Sequence, residues 1–177
     1  LAARTKKDAL EEMCRLLAPT KDAPLMKLID ILSPQAISVD LAARTKKDAL
    51  EEMCRLLAQA GKLPDPAAML KTLVDREALG STGIGQGVAI PHGKTAAVSE
   101  QAAALGISKR GIDFDALDGE PVHIVFLLTA PVDAAGNHLK ALAKVSRLLK
   151  DKFFRQALRD AKAAEEILKI IREEDEY

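Results

Sequence analysis

Val122-His-Ile-Val-Phe-Leu-Leu-Thr129 is apolar at odd and even positions alike. A strand with one wet face alternates, whereas a strand apolar on both faces is one that other layers cover on both sides. Helical patterns lie on both sides of it in the sequence. Before it, Leu50, Met53, Cys54 and Leu57 make an i, i+3, i+4, i+7 stripe within a helix expected over 46–60. Thr45 and Asp48 form a variant capping box at its start, and Gly61 is a suitable stop. Asp65-Pro66 opens a second helix over 66–79, with Met69, Leu70, Leu73 and Val74 turned inward. After it, Asn137 is expected to cap a helix over 138–150, followed by shorter ones over 151–160 and 163–174. A short helix near 27–32 and strands over 36–41, 88–90, 102–109 and 112–117 complete the reading. The fold expected is α/β: a three-layer α/β/α sandwich with a central mixed sheet flanked by helices.

Composition narrows the function. The 177 residues carry 26 Lys+Arg against 26 Asp+Glu, with 48% hydrophobic and 3% aromatic residues. A neutral chain has no field to draw in nucleic acid, and so few aromatics leave no platforms for stacking bases. The core must be aliphatic. No apolar run approaches the roughly 18 to 20 residues that span a bilayer, and the first residues lack a signal-peptide core, so no membrane insertion and a cytoplasmic location are expected. Cys14 and Cys54 read as reduced, buried small hydrophobes, and no Cys-x-x-Cys pair points to zinc, so no metal is expected.

One feature of the length is anomalous. Residues 1–18, LAARTKKDALEEMCRLLA, recur letter for letter at 41–58. Repeat proteins stack three or more diverged units, whereas two perfect copies indicate a recent or engineered duplication. A turn-rich linker, Pro19 to Pro24, separates the first copy from Leu25 and Met26. Residues 1–25 are therefore expected to be a helical extension and linker, and 26–177 the functional domain. One core slot takes one helix, so Leu10, Met13, Cys14 and Leu17 of the first copy would be exposed, packed on a partner, or exchanged between chains in a dimer.

Gly80-Ser-Thr-Gly-Ile-Gly-Gln-Gly87 invites a nucleotide-binding reading, which its spacing refuses. A phosphate loop ending at Gly93-Lys94-Thr95 needs glycine at the position of Val88, and the dinucleotide pattern begun by Gly83 and Gly85 fails at the same valine. The loop also leads into a strand, not out of one into a helix. Neither nucleotide nor other cofactor is expected. The loop can offer backbone N–H groups to an anion beside His92, which stands between Pro91 and Gly93 at a strand end. A neutral imidazole, with an ordinary pKa of about 6.5, is a good phosphoryl acceptor at neutral pH.

The stretch from Arg76 through Gly80-Ser-Thr-Gly-Ile-Gly and Val88-Ala-Ile-Pro-His92-Gly-Lys94 resembles the active-site signature of the fructose/mannitol-type IIA domains of the bacterial phosphotransferase system. Gly-Ser-Thr-Gly-Ile-Gly is most similar to the nitrogen-regulatory branch, and Asn137-His138-Leu-Lys-Ala-Leu extends the likeness towards the C-terminus. The resemblance implies a protein phosphorylated on His92 by an HPr-like histidine phosphocarrier, itself charged from phosphoenolpyruvate through an enzyme I. It implies regulation of target proteins, a potassium transporter or sensor kinase among them, by phosphorylation state. His138 and Arg76 match the family's second histidine and its arginine. The residue chemistry agrees: Arg76 offers a planar fork for phosphate, and His138 at a helix start is disfavoured as a cation. Ser81, Thr82, Gly83 and Gly93 are the expected phosphate-binding positions around His92.

Two other readings stand beside this one: a sugar-specific IIA that passes its phosphate to a IIB domain, and a binding module on the same fold that is never phosphorylated. His123, between Val122 and Ile124, reads as structural. Lys140, Lys144, Arg147, Lys150 and Lys152 read as a partly solvated helix face, and Glu173-Glu-Asp-Glu176 as a solvent-facing tail.

Overall fold

The computed structural model describes residues 26–176. Six strands form one mixed sheet in the order β1-β5-β6-β3-β2, with β4 also on β6: β1 Leu32–Ser38, β2 Gly83–Gly85, β3 Val88–Ala89, β4 His92–Lys94, β5 Ala102–Ile112 and β6 Val122–Ala130. Helices α1 (Lys46–Gln59) and α2 (Pro66–Glu77) precede β2, and α3 (Ala135–Leu148), α4 (Lys152–Asp160) and α5 (Ala164–Asp175) follow β6. The expected layers are present. Val125 and Leu127 of β6 join the core beneath Leu50, Met53, Leu57, Met69 and Leu73. Ile124, Phe126 and Leu128 turn the other way, onto Ala141, Val145, Phe154, Leu158, Ile167 and Ile171. Alternate side chains of one buried strand thus serve two cores.

The local signals at helix ends act as expected. Thr45 Oγ1 accepts from the Asp48 N–H, Asp65 Oδ1 from Ala68 and Asp151 Oδ1 from Phe154. Several boundaries differ, each because a distant partner decides. The strand expected over 36–41 is Leu32–Ser38, in parallel register with β5, while Leu41 leaves the strand and its N–H bonds the Ile107 carbonyl. No strand runs over 112–117: β5 ends at Ile112, Asp113 makes one bridge to Thr45, and Phe114 turns into the core. Val74 is 45% exposed although its spacing predicts an inward position, because the interior side of α2 is filled by Met69 and Leu73. Asn137 is no cap, since α3 begins at Ala135 and the His138 N–H already bonds the Ala134 carbonyl.

The acidic C-terminus is the largest departure. The Asp175 side chain is 1% exposed, its carboxylate 2.6 Å from Lys144 Nζ and accepting the Ile29 N–H. Lys144 also donates to the Met26 carbonyl. The last turn of α5 is thereby fastened to α3 and to the short 3-10 turn Leu28–Asp30. Lys144 is spent on this contact and is not part of a solvated face. The first copy of the repeat, with Leu10, Met13, Cys14 and Leu17, lies outside the described residues. Its twin at 41–58 is placed: Leu50, Met53, Cys54 and Leu57 are all buried. Burial pushes the Cys54 thiol up to about 12, with the Glu51 charge adding to the effect, so it is an inert thiol.

Candidate functional site

β3 and β4 are two short pieces of one line along β6, both parallel to it: Val88 and Ala89 face Ile124 and Val125, and His92 to Lys94 face Leu128 to Ala130. Ile90-Pro91 is the break between them. Pro91 has no N–H for the ladder, but its carbonyl accepts from the Leu128 N–H, so the chain is redirected without leaving the sheet. His92 comes immediately after this break and is half-buried.

The imidazole of His92 is oriented by the chain itself. Its Nδ1 lies 2.7 Å from the Ile90 carbonyl oxygen. A carbonyl only accepts, so Nδ1 carries the proton and Nε2 keeps the lone pair. The strand can sit this close to α2 because residue 93 is glycine. A Cβ there would stand 2.9 Å from Thr72 Cγ2 and 3.1 Å from Met69 Cε, closer than side chains pack.

His138 projects from the first turn of α3 to meet it. The two ring centroids are 5.8 Å apart and tilted by 49°. His138 is 5% exposed, and its pKa is lowered to about 4, foremost by burial and then by the charges of His92 and Lys94. The sequence-based expectation of a neutral His138 has the right direction, with burial as the leading cause. Its Nδ1 is buried and has no hydrogen-bond partner among the described residues. A buried N–H left unpaired costs about 1–3 kcal/mol, so the neutral ring carries its proton on Nε2 instead. The two histidines therefore differ in kind: one exposes a lone pair at Nε2, the other an N–H at the same atom.

Arg76, in the last turn of α2, donates from Nη1 to the Gly80 carbonyl at 2.9 Å. It lies one turn beyond Thr72, the residue packed on Gly93, and so on the same side of the helix. The glycine stretch is a tight hairpin: β2 and β3 pair antiparallel, and Gln86 and Gly87 join them with φ of 57° and 77°. Two successive positive φ values make the two-residue turn that suits strand twist. The donors expected to face an anion are engaged within the protein. The Gly83 N–H bonds Ser81 Oγ, the Gln86 N–H bonds the Asp118 carboxylate, and the Thr82 N–H bonds both oxygens of Glu77 at 3.2 Å. Thr82 is 3% exposed and its hydroxyl also donates to Glu77, while Ser81 Oγ reaches the Phe114 carbonyl. His123 lies away from the pair, its Nδ1 2.8 Å from the Ser108 carbonyl, in a structural position.

Sequence reasoning missed Glu77 and Lys46. The Glu77 side chain is 6% exposed and 3.2 Å from Lys46 Nζ, which also stands 5.4 Å from the centre of the Phe114 ring. A glutamate in the last turn of a helix opposes the dipole, and that misplacement is the one signal that marks it in the sequence.

A family model described as the phosphoenolpyruvate-dependent sugar phosphotransferase system, EIIA 2, matches residues 30–174. A nitrogen regulatory protein of Bradyrhizobium diazoefficiens is 43% identical over 104 residues, 59% of this chain and 68% of that protein. The fructose-specific EIIABC component of Bacillus subtilis is 40% identical over 150 residues, 85% of this chain but 24% of its own length, so the chain spans about a quarter of that protein. The crystal structure of the nitrogen regulatory protein IIA-Ntr from Neisseria meningitidis superposes with a TM-score of 0.75 at 38% identity, covering 81% of this chain and 97% of that one.

Proposed function

Because this chain belongs to the EIIA 2 family of the phosphotransferase system, and within it is closely related to the nitrogen regulatory IIA proteins, we propose that it is a phosphoryl carrier whose acceptor is Nε2 of His92. The observation that carries the reading is the 2.7 Å contact from His92 Nδ1 to the Ile90 carbonyl, which leaves Nε2 unprotonated beside His138. The donor is the phosphohistidine of an HPr-like carrier. A P–N bond forms at Nε2 as the P–N bond to the carrier breaks, and the carrier's imidazole leaves with the electron pair. The Nδ1 proton stays on His92, where the Ile90 carbonyl stabilises the positive charge that the ring acquires.

Transfer of this kind needs in-line placement and compensation of charge on three equatorial oxygens. His138 supplies an Nε2–H donor without adding a cation, and Arg76 supplies the charge when its fork turns from Gly80 to the phosphoryl oxygens. Gly93 lets β4 lie close against α2, and so sets where His92 stands. Ser81, Thr82 and Gly83 serve the phosphate by holding the hairpin in shape. The regulatory outcome is a change of partner affinity as His92 gains and loses a doubly charged group; a potassium transporter or sensor kinase is the class of target in view. The functional unit is 26–177. No helix among the described residues is long and apolar enough to cross a membrane.

Incubation with phosphoenolpyruvate, enzyme I and the carrier should place one acid-labile, base-stable phosphate on the wild type and none on His92→Ala. Equal labelling of the two would exclude His92 as the acceptor. The long match to the fructose-specific component favours a second reading, delivery of the phosphate to a IIB domain. Adding a fructose-type IIB to the labelled protein separates the two: retention of label supports the regulatory role, rapid loss the sugar-specific one.

A further inference from the structure

Arg76 and Glu77 are consecutive, yet only the arginine has a part in phosphate chemistry. Glu77 is a buried carboxylate at the negative end of α2, a position where both desolvation and the helix dipole oppose its charge. Three groups compensate it: Lys46 Nζ at 3.2 Å, the Thr82 N–H and the Thr82 hydroxyl. If packing were all that this position required, an apolar side chain of similar volume would do as well or better, because burying an ion pair seldom gains stability over a hydrophobic replacement.

What distinguishes this carboxylate is where its partners lead. The Thr82 carbonyl accepts from the Ile90 N–H at 3.0 Å, and the Ile90 carbonyl accepts from His92 Nδ1. Glu77, Thr82, Ile90 and His92 form one continuous chain of contacts from the end of α2 to the reactive ring. Arg76 grips the same loop two residues earlier, at the Gly80 carbonyl. The loop is thus pinned at Gly80 and at Thr82 by adjacent residues of one helix, and its glycines leave it no stiffness of its own.

We propose that Glu77 is a positioning residue for His92: it fixes Thr82, and through Thr82 holds Ile90 where its carbonyl selects the Nδ1–H tautomer and keeps Nε2 open. The use of that open nitrogen for phosphate rests on the function proposed above, whereas the tautomer itself is a property of the unphosphorylated protein. Lys46, itself placed over the Phe114 ring, also holds the carboxylate.

Long-range proton–nitrogen correlation spectra of the 15N-labelled, unphosphorylated protein read the His92 tautomer directly. Wild type should show the Nδ1–H form alone. Glu77→Ala should show a mixture of both tautomers, and its rate of phosphoryl acceptance should fall about tenfold, since misplacement by a fraction of an ångström is costly in an oriented transfer. Glu77→Gln, which keeps an acceptor for the Thr82 N–H, should recover most of both properties. Lys62→Met, which removes the distant pair with Glu100, should change neither. A folded Glu77→Ala with the wild-type His92 spectrum overturns the proposal. Should that variant fail to fold, Thr82→Val and Lys46→Met take its place: a tautomer mixture in both supports the proposal, and a wild-type spectrum in both overturns it. If the variants shift the tautomer while wild type takes no phosphate, the acceptor reading fails and the positioning role stands.

Discussion

At the residue scale the pair His92 and His138 is an arrangement of protons. Burial, then the charges of His92 and Lys94, bring the pKa of His138 down to about 4, against about 6.5 for an unperturbed histidine. The unfolded chain therefore binds a proton at this position over a pH range in which the folded chain refuses one. Stability from this group is complete above about pH 6.5 and is lost progressively as pH falls towards about 4. Thermal unfolding of wild type and His138→Gln across this range should show the wild type losing more stability on acidification. Parallel curves would remove burial of a neutral His138 as the cause. Phosphorylation should reverse the shift, because two negative charges arriving on His92 favour the imidazolium of His138. Its NMR titration midpoint should rise in the phosphorylated protein, and an unmoved midpoint would place the phosphate elsewhere. Of this geometry the sequence showed the residue types and the strand end before His92. It did not show the orphaned Nδ1 of His138, which depends on what α3 meets across space.

At the element scale the helices are secured by side chains of unequal legibility. Thr45 is a local cap, and Thr45→Ala should cost about 1 kcal/mol of stability in a denaturant titration. Asp175 stands in a run of acidic residues that reads as a solvated tail, yet it is buried against Lys144 and the Ile29 N–H. Removing one partner of a buried pair leaves the other charge uncompensated, at about 3 kcal/mol or more. Asp175→Ala should therefore lower Tm by roughly 6–12 °C, whereas Glu173→Ala two residues earlier should leave Tm nearly unchanged. Gly93→Ala tests the approach of β4 to α2. The added methyl meets Thr72 and Met69, so stability should fall by about 1–3 kcal/mol and phosphoryl acceptance with it. Caps were legible because donor and acceptor lie three residues apart. The Lys144–Asp175 pair was not, because residues 31 apart in sequence share a site only after three elements have packed.

At the scale of the whole molecule, the working unit proposed above, 26–177, is shorter than the 177-residue chain. Lys144 holds the Met26 carbonyl, so the fold is fastened from Met26 onward. A chain beginning at Met26 should unfold at the same temperature as the full chain and accept phosphate at the same rate. Sedimentation of the two forms tests exchange of the duplicated helix: a heavier full-length species that becomes monomeric without residues 1–25 supports a dimer through that segment, and equal monomeric masses exclude it.

The three layers followed from β6, where apolar residues at successive positions must be covered on two faces, and from helices whose period and caps are written within a few residues. The strand break at which His92 stands was legible in the same way, from Pro91, Gly93 and the glycines before them. The tertiary structure alone decided that Glu77 holds the loop, that Val74 faces solvent, that Asn137 does not cap α3 and that Asp175 is buried. Periodicity and capping are local interactions, fixed by spacing along the chain. Which charge finds a counter-charge, and which ring nitrogen is left without a partner, depends on desolvation by elements distant in sequence, and that is settled only when the layers close.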